Sequence, residues 1–209
     1  MHAASAHDTV SVRPMPLILT PIGERAVRFE LPPGLDRRAL LAHVRGLPGV
    51  IDASLTAEHA LVVFEDEPPE VSLPAALAPH AEVSPTTHEI RVAYDGPDLR
   101  DVAGVLGLEV DALIHLHAGR AHEVLFLGFC PGFAYLGPVD PRLGPASRRA
   151  VPRSRVPAGS VALAGGYTGI YPTETPGGWQ LLGRAIDFDA FRSDATRFAV
   201  GDAVRFVPS

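Results

Sequence analysis

The sequence predicts an α+β fold in two parts, a small α/β N-terminal domain followed by a domain of many short strands, and three observations carry that prediction. Residues 16–83 read as strand, helix, strand, strand and a short helix, with a proline- and alanine-rich stretch at their end. A new strand and two helical patterns follow. From Phe126 to Ala185 the character changes: this block holds 11 glycines and 8 prolines, about a third of its residues against about a fifth of the chain. Helices do not tolerate that density, so the block reads as short strands joined by rigid turns, which suggests a small barrel or sandwich. The expected division is a leader at 1–14, the N-terminal domain at 15–85 and the β domain at 86–209.

Each element has a local reason. RAVRFEL, Arg25 to Leu31, alternates as a half-buried strand does and ends at Pro32-Pro33-Gly34. Asp36 opens a helix in which Leu35, Ala39, Leu40, Val44 and Leu47 recur at helical spacing, and Pro48-Gly49 stops it. VIDASL and HALVVFE follow as strands, and HEIRVAY, His88 to Tyr94, begins the second part. Pro97 and Asp98 open DLRDVAGVLGL, with the proline expected in the first helical turn, where its missing N–H costs nothing. Gly107 closes that helix, EVDALIHLHAG supplies another, HEVLFLG reads as a buried strand, and VRFVP closes the fold.

Composition excludes several functions. All 18 basic residues are arginine, so the chain has no Walker-type phosphate loop, Schiff-base lysine or lysine general base. A net charge of -6 argues against nucleic acid, which needs a basic face. No apolar run approaches the ~20 residues needed to cross a bilayer. MHAASAHDTVSVRP lacks a basic region followed by an apolar core, so a secretory signal is not expected. One cysteine, Cys130, permits no internal disulfide, which fits the cytoplasm. Charge is nevertheless uneven: between Phe126 and Ala185 six arginines face two acids, a local balance of +4 that suits a small carboxylate or phosphate. No histidine, cysteine or carboxylate cluster has metal-ligand spacing.

The densest signal is GFCPGFAYLG at 128–137, VPRSRVPAGSVALAGGYTGIYP at 151–172 and TPGGWQLLGRA at 175–185. The glycines of PGF and PGGW permit positive φ and close backbone approach, exposed N–H groups in such turns can cradle an anion, and Phe129, Phe133, Tyr135, Tyr171 and Trp179 offer walls for a pocket. Trp179 could equally be core. Cys130 in an apolar turn favours packing over nucleophilic work.

In the order GFxPGFxYL, PRxxVPAGSV and TGIYPxxxPGGWxLxGR, the chain resembles the family that joins allophanate hydrolase subunit 1 to the B-type component of 5-oxoprolinase, most strongly from His88 to the C-terminus. Tyr167 stands where that family has glutamine, and Ala185 where threonine follows the Gly-Arg pair. Both flank the expected cleft, so the fold is implied more firmly than the substrate. The resemblance implies a cyclophilin-like β-barrel after the N-terminal domain. It also implies an ATP-hydrolysing 5-oxoprolinase assembly, with no cofactor bound by this chain alone and ATP with Mg used by the complex. The implied partners are a larger chain of the allophanate hydrolase subunit 2 type, the C-type component of 5-oxoprolinase, and a further A-type component. Alternatives within the family are urea carboxylase and allophanate hydrolase chemistry, or a binding protein that inhibits a histidine kinase.

Carried over residue by residue, the catalytic candidates are His117, Arg153 and Ser160. The substrate-binding candidates are Phe133, Tyr135, Tyr167, Thr168, Tyr171, Gly177, Gly178, Trp179 and Arg184. Arg153 and Arg184 are the expected clamp, because a guanidinium suits bidentate recognition of a carboxylate. His117 could serve a structural hydrogen bond as well as catalysis, and cannot share a helical face with His115. Ser160 lacks a nucleophile elbow and fits a turn or a substrate contact better.

Overall fold

A computed structural model describes residues 18–32, 34–68, 85–192 and 195–209. The expected leader and most of the proline- and alanine-rich stretch, with its short helix, lie outside them. The fold is α+β: a four-stranded sheet carrying one helix, and a closed barrel of seven strands with two helices.

In the first sheet, β1 (Thr20–Ile22), β2 (Ala26–Glu30), β3 (Val50–Leu55) and β4 (His59–Phe64) run in the order β1-β2-β4-β3, all antiparallel. Helix α1 (Arg37–Arg45) begins where Asp36 accepts the Ala39 N–H at 2.9 Å, and turns Leu40, Leu41 and Val44 onto Phe29, Val62 and Phe64. Val200 completes that core, with Phe126 and Leu127 packed against it, so the sheet's apolar face continues into the barrel.

The barrel comprises β5 (Thr87–Ala93), β6 (Ala121–Leu127), β7 (Ala134–Gly137), β9 (Ser160–Ala164), β10 (Tyr167–Ile170), β12 (Gln180–Ala185) and β15 (Ala203–Pro208), in the order β10-β7-β6-β15-β5-β12-β9 and closed by β9 against β10. Among the described strands only β15 and β5 pair in parallel, and the helices α2 (Leu99–Leu106) and α3 (Val110–Ala118) fall between β5 and β6 in the chain. Two short hairpins lie outside the barrel: β8 (Arg153–Val156) with β11 (Thr175–Gly177), and β13 (Phe191–Arg192) with β14 (Ala195–Thr196). No helix forms from Phe129 to Gly183, as the glycine and proline density required.

β9 reads SVALA without alternation because both its faces are buried. Val161 joins one cluster with Ile90, Val92, Leu136 and Phe206, while Ala162 and Ala164 join Phe133, Tyr171 and Trp179 on the other side. The start of α2 differs from expectation: the helix begins at Leu99, so Pro97 lies one residue before the N-cap Asp98, whose carboxylate makes no capping bond. That carboxylate serves elsewhere. The two sheets are tied by Asp202, which accepts from Arg38 of α1, from the backbone N–H of Thr86 and Ala199, and pairs with His88 Nε2 at 3.0 Å.

Candidate functional site

Two polar systems and one aromatic face involve the block that the sequence marked, the polar ones joining it to Tyr94, Asp98 and His117. The first system lies inside the barrel. His117 on α3 is fully buried and joins two walls: its Nδ1 lies 2.7 Å from the Tyr94 hydroxyl, just past β5, and its Nε2 lies 2.7 Å from Thr168 Oγ1 on β10. Thr168 gives its own proton to the Ala162 carbonyl at 2.9 Å. It therefore accepts from His117 Nε2–H, which leaves Nδ1 bare to accept the Tyr94 O–H. Burial, with His122 beside it, pulls the His117 pKa down to about 3, consistent with a neutral ring. Burial likewise pushes the Tyr94 hydroxyl well above its ordinary range. Phe206 stacks on the imidazole with centroids 4.7 Å apart. Every polar side-chain atom of this chain of contacts has a partner within the chain, and the contacts tie α3 to the end of β5 and to β10.

The second system neutralises arginines. Asp98, almost fully buried, accepts from Arg153 at 2.6 Å, from Arg149 at 3.0 Å and from the Leu181 N–H at 2.7 Å. Burial would raise its pKa, but those hydrogen bonds and the two positive charges hold it below the usual carboxylate range. Arg153, expected as a clamp, is thus bound to an internal carboxylate. Arg184 pairs with Asp95 at 3.0 Å on the exposed surface. Ser160 lies opposite Arg184 in register and gives its proton to the Pro157 carbonyl at 2.8 Å, closing a turn.

The aromatic face covers the outside of β9 and β10. Phe133 sits at its centre, its ring against Gly169, where a Cβ would come within 3.0 Å of the ring. Around it, edge to face, stand Tyr135 at 5.1 Å, Trp179 at 5.3 Å and Tyr171 at 5.5 Å. Tyr167 meets Tyr135 at 5.9 Å, and Phe126 stacks on Tyr135 at 4.2 Å. Phe129 leans on Phe133 and Tyr171, is 58% exposed and holds a φ of 68°, a conformation side chains seldom adopt. Gly177 is needed here because a Cβ would collide with the Tyr171 hydroxyl, and the Gly178 carbonyl accepts the Arg149 N–H at 2.8 Å. Cys130 is half-buried at the rim, where burial pushes its thiol up and away from nucleophilic use.

One cation acts on this face. Burial raises the Tyr135 and Tyr171 hydroxyls, and the positive charge of Arg148 pulls both back. The segment carrying Arg148 is pinned on both sides: Gln180 donates to the Ser147 carbonyl at 2.9 Å, and Arg149 donates to Gly178 while its guanidinium holds Asp98. Arg148 itself is exposed and makes no hydrogen bond or ion pair among the described residues.

The structure gathers Phe133, Tyr135, Tyr167, Tyr171, Gly177, Gly178 and Trp179 on one face; Arg153 borders it, in register with Gly177, and the Ser160 carbonyl accepts the Tyr171 N–H at 2.9 Å, while His117 and Thr168 bond to each other inside the barrel and Arg184 pairs with Asp95. Sequence reasoning passed over Arg148 and Phe126. Neighbours in an extended chain face opposite ways, so of two adjacent arginines only one can serve Asp98, and the pair itself was the available signal. No group of three or more histidine, cysteine or acidic residues among the described residues could hold a metal ion, and no described helix is long and apolar enough to cross a membrane.

Residues 17–200 match the family described as the carboxyltransferase domain, subdomain C and D. The chain is 38% identical to the B-type component of 5-oxoprolinase from Escherichia coli O157:H7 over 210 residues, covering 90% of this chain and 94% of that protein. It superposes on the crystal structure of TTHA0988 with a TM-score of 0.71 at 36% identity, over 88% of this chain but only 40% of that longer one. The Kluyveromyces lactis urea carboxylase shares the fold over 93% of this chain and 22% of its own, with a TM-score of 0.65 at 19% identity.

Proposed function

The chain belongs to the carboxyltransferase domain, subdomain C and D, family, and on that premise we propose that it is one component of an ATP-dependent 5-oxoprolinase opening 5-oxo-L-proline to L-glutamate. The observation that carries this reading is the 38% identity running through 94% of a protein named as the B-type component of 5-oxoprolinase. The likeness to urea carboxylase, at 19% identity, concerns the fold and carries no substrate.

A lactam carbonyl is a poor electrophile; a phosphoryl group from ATP on its oxygen would let one water add and the ring C–N bond break with the amine as leaving group, and a second water would then release phosphate from the resulting acyl phosphate to leave glutamate. This chain has no lysine with which to build a phosphate loop, so it supplies no Walker-type nucleotide site to the complex. Its own contribution is the aromatic face, where a flat five-membered amide can lie on Tyr135 or Tyr167, completed by a larger homologous C-type partner and an A-type component. The matching region of TTHA0988 is 40% of a longer chain, which suits a region that works beside another. A cytoplasmic complex is the reading that the single cysteine, Cys130, supports.

The test is ATP-dependent glutamate release from 5-oxo-L-proline by the purified cognate components, with and without this chain. Turnover that requires the chain supports the reading. Equal rates in its absence overturn it.

A further inference from the structure

Six arginines crowd the block from 126 to 185, and five of them are matched to acids: Arg149 and Arg153 to Asp98, Arg142 to Asp140, Arg155 to Glu174 and Arg184 to Asp95. Arg148 is the exception among them. Its backbone neighbours are anchored to the Gly178–Gln180 turn, so its base is fixed, while its charge acts on the Tyr135 and Tyr171 hydroxyls. The Tyr171 hydroxyl is occupied by the backbone of Trp179, whereas Tyr135 and Tyr167, both half-buried, form no side-chain hydrogen bond among the described residues. One cation and two uncommitted hydroxyls thus border a wall of aromatic rings.

We propose that Arg148, with the Tyr135 and Tyr167 hydroxyls, is the anion-recognition element of this face, taking the carboxylate of a small planar amide whose ring lies on the aromatic wall. The chemistry follows from the parts. A guanidinium meets a carboxylate through two parallel N–H bonds, which fixes orientation as well as charge. Phenolic hydroxyls at the rim donate to a carbonyl or carboxylate oxygen, and tyrosine rings receive a flat ligand with little loss of side-chain freedom. Among the described residues the arginine pairs with no acid, so no such ion pair has to break before the ligand enters. That the ligand is 5-oxo-L-proline rests on the functional reading above; that an anion binds at Arg148 does not.

The full chain is titrated by calorimetry and by Trp179 fluorescence with 5-oxo-L-proline, with 2-pyrrolidinone, which lacks the carboxylate, and with inorganic phosphate. Three proteins are compared: the native chain, Arg148→Met, and Arg142→Met, which removes an exposed arginine paired only within its own turn. The expected result is binding of 5-oxo-L-proline but not 2-pyrrolidinone, weakened at least roughly tenfold by Arg148→Met and unchanged by Arg142→Met. Binding of phosphate alone, lost in the same variant, keeps Arg148 as an anion site and removes the planar-amide assignment. Equal binding by native and Arg148→Met chains overturns the proposal. In the reconstituted complex Arg148→Met should raise KM for 5-oxo-L-proline roughly tenfold or more while kcat changes little. A complex that needs this chain yet shows an unchanged KM sinks the arginine assignment and leaves the functional reading standing. A chain that binds the ligand through Arg148 but adds nothing to turnover does the reverse.

Discussion

Inside the barrel and on its outer face the chain assembles similar polar chemistry to opposite ends. In the interior, His117, Tyr94 and Thr168 form a chain of hydrogen bonds in which each donor meets an acceptor, and the last proton goes to the Ala162 carbonyl. Outside, Tyr135, which feels the charge of Arg148, and Tyr167 beside it form no side-chain hydrogen bond among the described residues, and Arg148 has no ion pair among them. The interior system spends its hydrogen bonds within the fold; the exterior one, on the proposal made above, keeps them for a ligand. A perturbed histidine alone does not mark a site: what separates the two regions is whether the polar groups are already satisfied.

That contrast breaks first at Asp98. Asp98→Ala leaves Arg149, Arg153 and the Leu181 N–H without their acceptor, and a loss of about 3 kcal/mol in urea denaturation is expected. A loss below ~1 kcal/mol would show that the carboxylate is not the anchor described. His117→Leu strips the Tyr94 hydroxyl of its acceptor inside the barrel and should cost about 2 kcal/mol, with ligand affinity unchanged after correction for the folded fraction. A fully folded His117→Leu chain that no longer binds ligand would move the site into the interior.

Acid sharpens the comparison. His117 is held neutral in the fold, with a pKa of about 3, whereas an unfolded chain protonates near 6.5. Its contribution is therefore complete above pH ~6.5 and declines as pH falls from there toward 3. Asp98 and Asp202, whose folded pKa values are depressed, contribute above pH ~4 and lose that contribution as pH falls through their folded values. Thermal melting from about pH 8 to 3 should show an earlier loss, diminished in His117→Leu, and a steeper one at the acid end that persists. The smallest effects belong to Ser160→Ala, at about 1 kcal/mol for one hydroxyl bond to Pro157, and to Arg184→Ala, within ~0.5 kcal/mol for an exposed pair.

Much of this was legible in the sequence. Helical spacing around Leu40 and Val44, strand alternation in HEIRVAY, and the glycine and proline density after Phe126 each correspond to an observed element because each follows from local geometry. The aromatic members of the face were legible too, since turns rich in glycine leave large rings few places to go. The arginines were not. Which guanidinium meets which carboxylate depends on Asp98, some fifty residues away in the chain from Arg149 and Arg153, and on a helix start whose cap residue turns its side chain away. The partner of Arg153 could not be read because it is distant in sequence, and nothing local distinguished Arg148 from its neighbour Arg149.

The most direct test of the contrast is residue-resolved NMR of the chain titrated with 5-oxo-L-proline. The account predicts that the Trp179 indole and the signals of Tyr135, Tyr167 and the Arg148 guanidinium move together along one saturating curve, while Tyr94 and His117 stay fixed. Shifts concentrated at His117, Ser160 and Arg184, with the aromatic face unmoved, would contradict it.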